Sequence, residues 1–487
     1  MKRLKLIFAL LLLVTFFITS CDSAEAEKPN IVFLFADDQT YKGVAALGND
    51  EIKTPNLDYL CETGITFTNA YNMGAWNGAV CVASRAMLNT GRFLWRAQSY
   101  DKNKKMWSEL MSDAGYDTYM GGKWHTYRHP RDVFNHVGSV RGGMPEDTWP
   151  AYWNARKNNP NEPMPYGYER STNTEEGEWK PWDKNNGGHW KGGKHWSEVL
   201  GDEAVGFINE AKDKDNPFFM YLAFSAPHDP RQSPKEYVDM YPLEDLSLPP
   251  TFQPEYPYKD SIGGGPTLRD AALAPYPRTE LSIKTHKQEY YAIISHLDAQ
   301  IGRILEALEA SGEMKNTYIF YTADHGLAVG EHGLMGKQYM YDFSLRVPFF
   351  VIGPKIPKNK KKEMDIYLQD VMATALDLAG VEKPEYVEFN SLMPFLKNKR
   401  KESYYDAIYG SYMSDLQRMI RKDGYKLILY PHGKTVLLYD IENDPNESVN
   451  LAEDVKYKDK VKELFEDLQD LQVEMGDPLD LDAIFDI

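Results

Sequence analysis

Cysteine, positive charge and long apolar segments are all scarce in this chain. Only three of its 487 residues are cysteines, Cys21, Cys61 and Cys81, which excludes a small scaffold held together by disulfides. Lysine and arginine number 55 against 72 aspartate and glutamate residues, so the formal net charge is −17. That sign is wrong for a protein that coats nucleic acid, so no nucleic acid partner is expected. Any bound anion must instead be held by a local cluster of cations.

One long apolar run, residues 6–18, follows the basic first residues. It is too short to span a bilayer and is typical of the core of a signal peptide. The segment Ile18-Thr19-Ser20-Cys21 is similar to a bacterial lipobox, so we predict a lipoprotein signal peptide over 1–20 and a tether over 21–28. Lipid on Cys21 would anchor an exported bacterial protein to the membrane, in the periplasm or at the outer-membrane or cell surface. An ordinary secretory signal with an incidental cysteine is the alternative.

Four short apolar runs share one pattern, because each ends abruptly in a polar cluster. Near-continuous apolar runs are typical of strands covered on both faces, as in a parallel sheet flanked by helices. Ligands bind at the carboxyl ends of such strands, so the four clusters are expected to meet in one crevice. The runs and their clusters are 31–36 with Asp37-Asp38, 116–120 with 121–125, 218–224 with 227–229, and 318–323 with 324–326.

Amphipathic stretches alternate with these runs and predict helices. One begins at Thr54-Pro55 and buries Cys61 as a small apolar residue, and another runs from about His286 to Ala310. His286 and His296 on this long helix are interpreted as structural. Two further helices are predicted at 106–111 and 367–378. The fold class is therefore α/β, with a central mixed, mostly parallel sheet flanked by helices.

Two segments depart from this alternation. Residues 141–196 hold six of the ten tryptophans without periodicity, which predicts an irregular insertion whose rings either stack on sugars or pin the insertion to the core. From residue 399 onward, short strands separated by turn signals predict a smaller antiparallel-sheet subdomain over 399–487. The main α/β domain is then 29–398. The basic run 358–362 is expected to be a solvated turn.

Residues 81–85, Cys-Val-Ala-Ser-Arg, combine a thiol with a guanidinium. A helix is expected to start at or near Cys81, where backbone N–H groups favour anions, and Arg85 would share that helix face. A plain thiol nucleophile would need a partner histidine, which the spacing does not place.

This segment resembles the sulfatase signature Cys-x-Pro/Ala-x-Arg, whose cysteine is oxidised to formylglycine. The other polar clusters match type I sulfatases in order, and residues 421–426 and 438–445 resemble that family's C-terminal subdomain. The resemblance implies an alkaline phosphatase-like fold and a sulfuric ester hydrolase. With a histidine at position 325, the chain resembles the branch of the family that contains iduronate-2-sulfatases and choline sulfatases. The matching positions are Asp37, Asp38, Cys81, Arg85, Lys123, His125, His228, Asp324, His325 and Lys337.

A metal site is also implied by the resemblance. Asp37, Asp38, Asp324 and His325 would hold Ca²⁺, or Mg²⁺, together with the formylglycine made from Cys81. Carboxylate oxygens are the hard ligands that these ions prefer, whereas an imidazole nitrogen is softer.

The family's chemistry assigns a role to each remaining residue. The hydrated aldehyde carries two hydroxyls on one carbon, and one of them, ionised with the help of the metal and Arg85, attacks sulfur. Loss of the second hydroxyl's proton to His125 then expels sulfate. His228 with Lys337 would protonate the leaving alcohol, and Lys123 with Lys337 would hold the sulfate oxygens.

Substrate contacts and maturation are implied less directly. Arg231 could pair with a substrate carboxylate or second sulfate, or be a surface salt-bridge residue. Trp76, Trp124 and His129 are candidates for lining the mouth of the site. Ala83 stands where most family members have proline and resembles the variant accepted by radical-type, oxygen-independent maturases. Export and the tryptophan-rich insertion favour a carbohydrate substrate, such as oligosaccharides from a sulfated algal polysaccharide.

Two other functions remain open from the sequence. The first is a phosphoester or phosphonate monoester hydrolase of the same superfamily. Its two-metal members need Asp-x-x-x-His, but Phe224 stands four residues before His228. The second is a noncatalytic carbohydrate-binding lipoprotein, which would bind without releasing a product.

Overall fold

The computed structural model describes residues 28–143, 159, 179–265, 268–274 and 276–487. The predicted signal peptide, Cys21 and nearly all of the tether lie outside these residues, as do Trp149, Trp153 and most of the 141–196 segment. Among the helices in the described ranges, none is long and apolar enough to cross a membrane.

The described residues form sixteen strands, numbered here in chain order. They are β1 (Asn30–Asp37), β2 (Ile65–Tyr71), β3 (Gly74–Ala75), β4 (Asp117–Lys123), β5 (His136–Arg141), β6 (Phe218–Pro227), β7 (Thr317–Ala323), β8 (Ala328–Val329), β9 (Met335–Gly336), β10 (Arg346–Val347), β11 (Phe349–Ile352), β12 (Lys360–Tyr367), β13 (Ile408–Tyr412), β14 (Gln417–Lys422), β15 (Tyr425–Tyr430) and β16 (Thr435–Asp440).

Twelve α-helices lie between these strands in the same part of the chain. They are α1 (Pro55–Thr63), α2 (Val80–Thr90), α3 (Leu94–Gln98), α4 (Trp107–Asp113), α5 (Trp196–Ala211), α6 (Lys235–Val238), α7 (Arg269–Ala272), α8 (Glu280–Ser311), α9 (Asp342–Leu345), α10 (Asp370–Leu378), α11 (Met393–Leu396) and α12 (Lys458–Met475).

The main sheet contains nine of the described strands and is mostly parallel. Its centre runs in the order β7-β1-β6-β4-β5, with every neighbouring pair parallel. β11 joins β7 in the opposite direction, and β2 pairs with β10, β11 and β12 at that side. The predicted fold class is confirmed.

The apolar runs form the centre of this sheet because both of their faces are covered. All eight residues of β1 and all ten of β6 are buried. Helices α5 and α8 pack on β6 and on each other, and α4 packs on β4. The side chain of Thr279 caps α8 by accepting the N–H of Ser282, and Gly312, at φ 80°, ends it.

A second sheet follows in the order β16-β15-β14-β13-β3. Its four C-terminal strands are antiparallel, as predicted, while β3 comes from the N-terminal half of the chain and pairs with β13 in parallel. Gly74 allows this pairing, since a Cβ there would lie 2.0 Å from the carbonyl oxygen of Ser411. The chain therefore enters the second sheet immediately before it reaches Cys81.

Some local expectations are wrong. Tyr367 is not in a helix but ends β12, because it pairs with Tyr71 of β2. For the same reason, 360–362 are strand residues rather than part of a turn. Of the four described tryptophans of the 141–196 segment, Trp179, Trp190 and Trp196 are buried and pack against the protein, whereas Trp182 is half-buried. Cys61 is buried in the main core, as predicted.

Candidate active site

Four strand ends bring the predicted polar clusters together. Asp37 ends β1, Lys123 ends β4, His228 follows β6, and Asp324 follows β7. These strands are neighbours in the order β7-β1-β6-β4. All four side chains are buried, so their charges and hydrogen-bonding groups must be satisfied by one another or by a bound group.

Helix α2 supplies the thiol and the guanidinium. Cys81 is its second residue, as the sequence predicts, and Arg85 follows one turn later with its side chain fully buried. Arg85 Nε donates to Asp324 Oδ2 at 3.0 Å, and its Nη1 donates to the Lys123 carbonyl at 2.8 Å. Arg85 Nη2 lies 3.7 Å from Asp37 Oδ1. One guanidinium thus connects three of the strand ends.

Each lysine of the site faces one carboxylate. Lys123 Nζ pairs with Asp37, and Lys337 Nζ donates to both carboxylate oxygens of Asp38, at 2.8 and 3.0 Å. Burial disfavours the charge of Lys337, but Asp38 outweighs it and raises its pKa, so this ammonium stays charged. These cations form the local cluster that the negative net charge requires.

Asp38 occupies a strained turn that a distant tyrosine holds. Its φ is 72°, in the left-handed region that favours glycine. Tyr290, on α8, donates its hydroxyl to the Asp38 carbonyl at 2.7 Å and accepts the N–H of Thr40 at 2.9 Å. Tyr290 itself is buried. This bridge fixes the turn that places Asp37 and Asp38 in the same site.

The residues fit a metal ion. Ligand atoms of Asp37, Cys81, Asp324 and His325 lie within 4.8 Å of one another. His325 Nδ1 donates to the Gly326 carbonyl at 2.9 Å, so Nε2 faces the Asp38 and Asp324 carboxylates, at 3.3 and 3.5 Å. A cation bound between this imidazole nitrogen and the two carboxylate oxygens would be coordinated by all three.

Buried polar atoms support the same conclusion. Asp37 Oδ1 and His325 Nε2 have no hydrogen-bond partner among the described residues. Burial raises the pKa of Asp38 well above its ordinary value; Lys337 opposes this, and Asp37 and Asp324 reinforce it. A divalent cation would relieve this crowding of carboxylates, and oxygen ligands of this kind suit Ca²⁺ or Mg²⁺.

Two histidines flank the thiol and the carboxylates. His125 Nδ1 lies 3.4 Å from Cys81 Sγ. Burial, together with the charges of Lys123 and Arg85, lowers the pKa of His125 to about 3, so this imidazole is neutral at pH 7. His228 Nδ1 donates to the Asp229 carbonyl at 2.8 Å, which directs Nε2 to Asp38 Oδ2, 3.9 Å away.

The thiol itself sits in a positive field. Burial opposes ionisation of Cys81, but Lys123 and Lys337 outweigh it, so the pKa of the thiol is lowered. Cys61 and Cys81 are both free, and no disulfide links them.

The predicted substrate contacts occupy different environments. Arg231 is buried, with Nη1 2.7 Å from His286 Nδ1, so it is not a surface salt-bridge residue. Trp124 is also buried and packs against Phe134. Trp76 is half-buried, and His129 is exposed and caps a 3₁₀ turn. For Arg231, Trp76, Trp124 and His129, contact with a substrate stays a prediction.

Three residues that support the site were not predicted from the sequence to contribute to it. Tyr290 lies in the long helix that the sequence predicts, but the spacing does not show that its hydroxyl contacts Asp38, 252 residues earlier. His189 Nε2 donates to the His228 carbonyl at 3.1 Å, and Arg269 Nη2 donates to Asp229 Oδ1 at 3.0 Å. No local pattern points to the last two, because their partners are 39 and 40 residues distant.

Solved structures share this fold. A protein in complex with its substrate D-glucosamine-2-N,6-O-disulfate superposes with a TM-score of 0.70 at 23% identity, covering 93% of this chain and 99% of that one. The phosphonate monoester hydrolase of Agrobacterium radiobacter gives a TM-score of 0.70 at 23% identity, covering 92% and 96%. At such identities the similarity establishes the fold alone.

Curated relatives extend over nearly the whole chain. A sulfatase of Formosa agariphila is 29% identical, covering 90% of this chain and 86% of the relative. An N-acetylglucosamine-6-O-sulfatase of Bacteroides thetaiotaomicron is 28% identical, covering 93% and 88%. An ulvan-active sulfatase of Formosa agariphila is 27% identical, covering 96% and 87%.

Two family profiles match overlapping parts of the chain. The profile described as N-sulphoglucosamine sulphohydrolase, C-terminal, matches residues 330–474. The profile described as Sulfatase matches residues 29–381, which is most of the chain. The chain therefore belongs to the sulfatase family and is a sulfuric ester hydrolase.

Proposed function

We propose that this enzyme hydrolyses sulfate esters of carbohydrates and that its nucleophile is a formylglycine made from Cys81. The observation that carries the proposal is the position of Cys81: it starts a helix, lies 3.4 Å from a neutral histidine, and is surrounded by buried cations. When hydrated, the aldehyde of formylglycine supplies an oxygen nucleophile, and a bound divalent cation supplies positive charge beside it.

The side chains around residue 81 have separate tasks. His125 is neutral and accepts a proton from the group at position 81. Lys123, Lys337 and Arg85 are held as cations by the carboxylates that they contact, and they stabilise the charge that develops on the sulfate oxygens. Lys337 and His228 both lie against Asp38, on the side proposed to face the leaving alcohol.

The carbohydrate part of the proposal draws on relatives named for N-acetylglucosamine 6-O-sulfate and ulvan. We infer that the substrates are oligosaccharides from a sulfated extracellular polysaccharide, such as an algal one. The predicted signal peptide and lipobox at Cys21 fit an exported lipoprotein, periplasmic or at the outer membrane or cell surface, that acts on such material. A maturase that accepts Ala83 is a necessary partner.

The mass of the tryptic peptide spanning residues 54–85, from protein of its native host, tests the nucleophile. We expect the lighter aldehyde mass at position 81. An unmodified cysteine in protein that nevertheless releases sulfate would sink the formylglycine mechanism. Cys81→Ala is the matched control, and we expect it to fold normally and to release no sulfate.

A phosphonate or phosphate monoester is the second candidate substrate, because a phosphonate monoester hydrolase shares the fold over nearly the whole chain. The discriminating measurement compares the sulfate ester, the phosphate ester and the phosphonate ester of the same alcohol. We expect the highest kcat/KM for the sulfate ester. A higher value for the phosphonate would replace the proposed reaction with the alternative.

A further inference from the structure

Two basic segments that are distant in the chain lie side by side on the surface. Residues 355–363 and 397–402 together carry nine lysines and arginines but only two glutamates, in a chain whose net charge is −17. Lys362 Nζ donates to Asn398 Oδ1 at 2.7 Å, and Ser403 Oγ donates to the Asp365 carbonyl at 2.7 Å. We call these two segments the basic surface.

Most of the cations of the basic surface are exposed to solvent. Seven of the nine side chains are exposed, and Lys362 and Arg400 are half-buried. Within the described ranges, none of the nine forms an ion pair with a carboxylate. Concentrated like charges repel one another, so such a surface is stabilised by a bound polyanion.

Protection of an edge strand explains only part of this arrangement. Lysines on β12 prevent strand-to-strand aggregation, and this accounts for Lys360, Lys361 and Lys362. The segment 397–402 is not a strand, yet it adds four further cations beside β12. A role in binding accounts for both segments together.

The basic surface is remote from the catalytic residues. Lys360 pairs with Ile65 at the amino end of β2, whereas Tyr367 pairs with Tyr71 at the carboxyl end. β2 runs in the same direction as β7, because both are antiparallel to β11. Lys360 therefore lies roughly 23 Å, and Lys362 roughly 17 Å, along the strand from the edge of the sheet that holds the catalytic residues. A small substrate in the active site does not reach it.

We propose that the basic surface is a second binding site for sulfated polysaccharide, separate from the catalytic centre. This rests on the proposed function, since a chain with many sulfates is the polyanion that such an enzyme meets. Over most of its surface the enzyme repels such a chain, so a local basic area that retains it raises the concentration of substrate near the active site.

The test compares two variants with the same change of charge. Lys360→Glu/Lys361→Glu/Lys399→Glu alters the basic surface, and Lys456→Glu/Lys458→Glu/Lys462→Glu alters exposed lysines at and just before the C-terminal helix. Binding to immobilised dextran sulfate is measured against salt concentration, with uncharged dextran as the blank. We expect about tenfold weaker binding for the first variant and less than a twofold change for the second, because fewer counterions are released.

Release of sulfate from a small sulfated saccharide separates this proposal from the proposed function. We expect equal rates for both variants and the unaltered enzyme. If the enzyme releases no sulfate but the first variant still loses dextran sulfate binding, the proposed function fails and the second binding site stands. Equal weakening in both variants would overturn the second site. The proposal would also be overturned if the first variant lost binding to phosphatidylglycerol vesicles but kept its binding to dextran sulfate. The basic surface would then bind a membrane surface instead of a polysaccharide.

Discussion

The catalytic centre and the basic surface both gather cations, but they hold them in opposite ways. In the catalytic centre, Arg85, Lys123 and Lys337 are buried and each contacts a carboxylate. On the basic surface, seven of the nine cations are exposed, and none of the nine forms an ion pair within the described residues. A buried charge is tolerated only with a partner, whereas water and salt screen an exposed one. A single substitution should therefore change the stability or activity of the catalytic centre. Several substitutions at once should be needed to change the binding properties of the basic surface.

The largest effect is expected from Arg85→Ala. The change leaves Asp324 and Asp37 without their shared cation, so turnover should fall at least about 10³-fold and the free energy of unfolding by about 3–5 kcal/mol. Sulfate release and urea unfolding measure the two quantities. Arg85→Lys keeps the charge but not all the contacts, so its turnover and its free energy of unfolding should lie between those of Arg85→Ala and the unaltered enzyme. Normal turnover in Arg85→Ala would contradict the proposed active site.

Tyr290→Phe should weaken metal binding. Its hydroxyl holds the Asp38 turn, so its loss should reduce Ca²⁺ affinity about 10- to 100-fold, as measured by calorimetry on the folded protein. Tyr291→Phe is the matched control, since its hydroxyl accepts from Asn49 Nδ2. Equal Ca²⁺ affinity in the two variants would show that the turn does not depend on Tyr290.

Acid should destabilise the protein through His189 and His195. Burial lowers the pKa of His189 to about 4 and that of His195 well below its ordinary value, so the unfolded chain binds protons more readily than the folded one. Stability is therefore lost as the pH falls below about 6.5, by about 1 kcal/mol for each histidine between pH 7 and pH 5.5.

Urea unfolding at the two pH values measures this loss. His195→Gln should flatten the pH dependence of the free energy of unfolding. If the free energy of unfolding of His195→Gln depends on pH as steeply as that of the unaltered protein, His195 does not contribute to the loss of stability in acid.

The smallest effect is expected from a single lysine of the basic surface. Lys361→Ala removes one exposed and unpaired charge, so the free energy of unfolding should change by less than about 0.5 kcal/mol. Lys123→Ala removes the buried partner of Asp37 and should cost about 3 kcal/mol or more. Similar losses in the two variants would abolish the contrast between the regions.

Prediction from the sequence was most successful where the information is local. The run 318–323 followed by Asp324 indicated a strand and its polar end, and β7 covers Thr317–Ala323. Prediction failed at Tyr367, whose place in β12 depends on pairing with β2, almost 300 residues earlier.

The sequence by itself determined the order and chemistry of the catalytic side chains and the alternation of helices and strands. Both can be predicted from short sequence patterns, which follow from backbone geometry and burial. Only the tertiary structure decided that Tyr290 holds Asp38, that β3 enters the C-terminal sheet, and that residues 355–363 lie beside 397–402. Such contacts join residues far apart in the chain, and their partners are chosen by the packing of the whole fold.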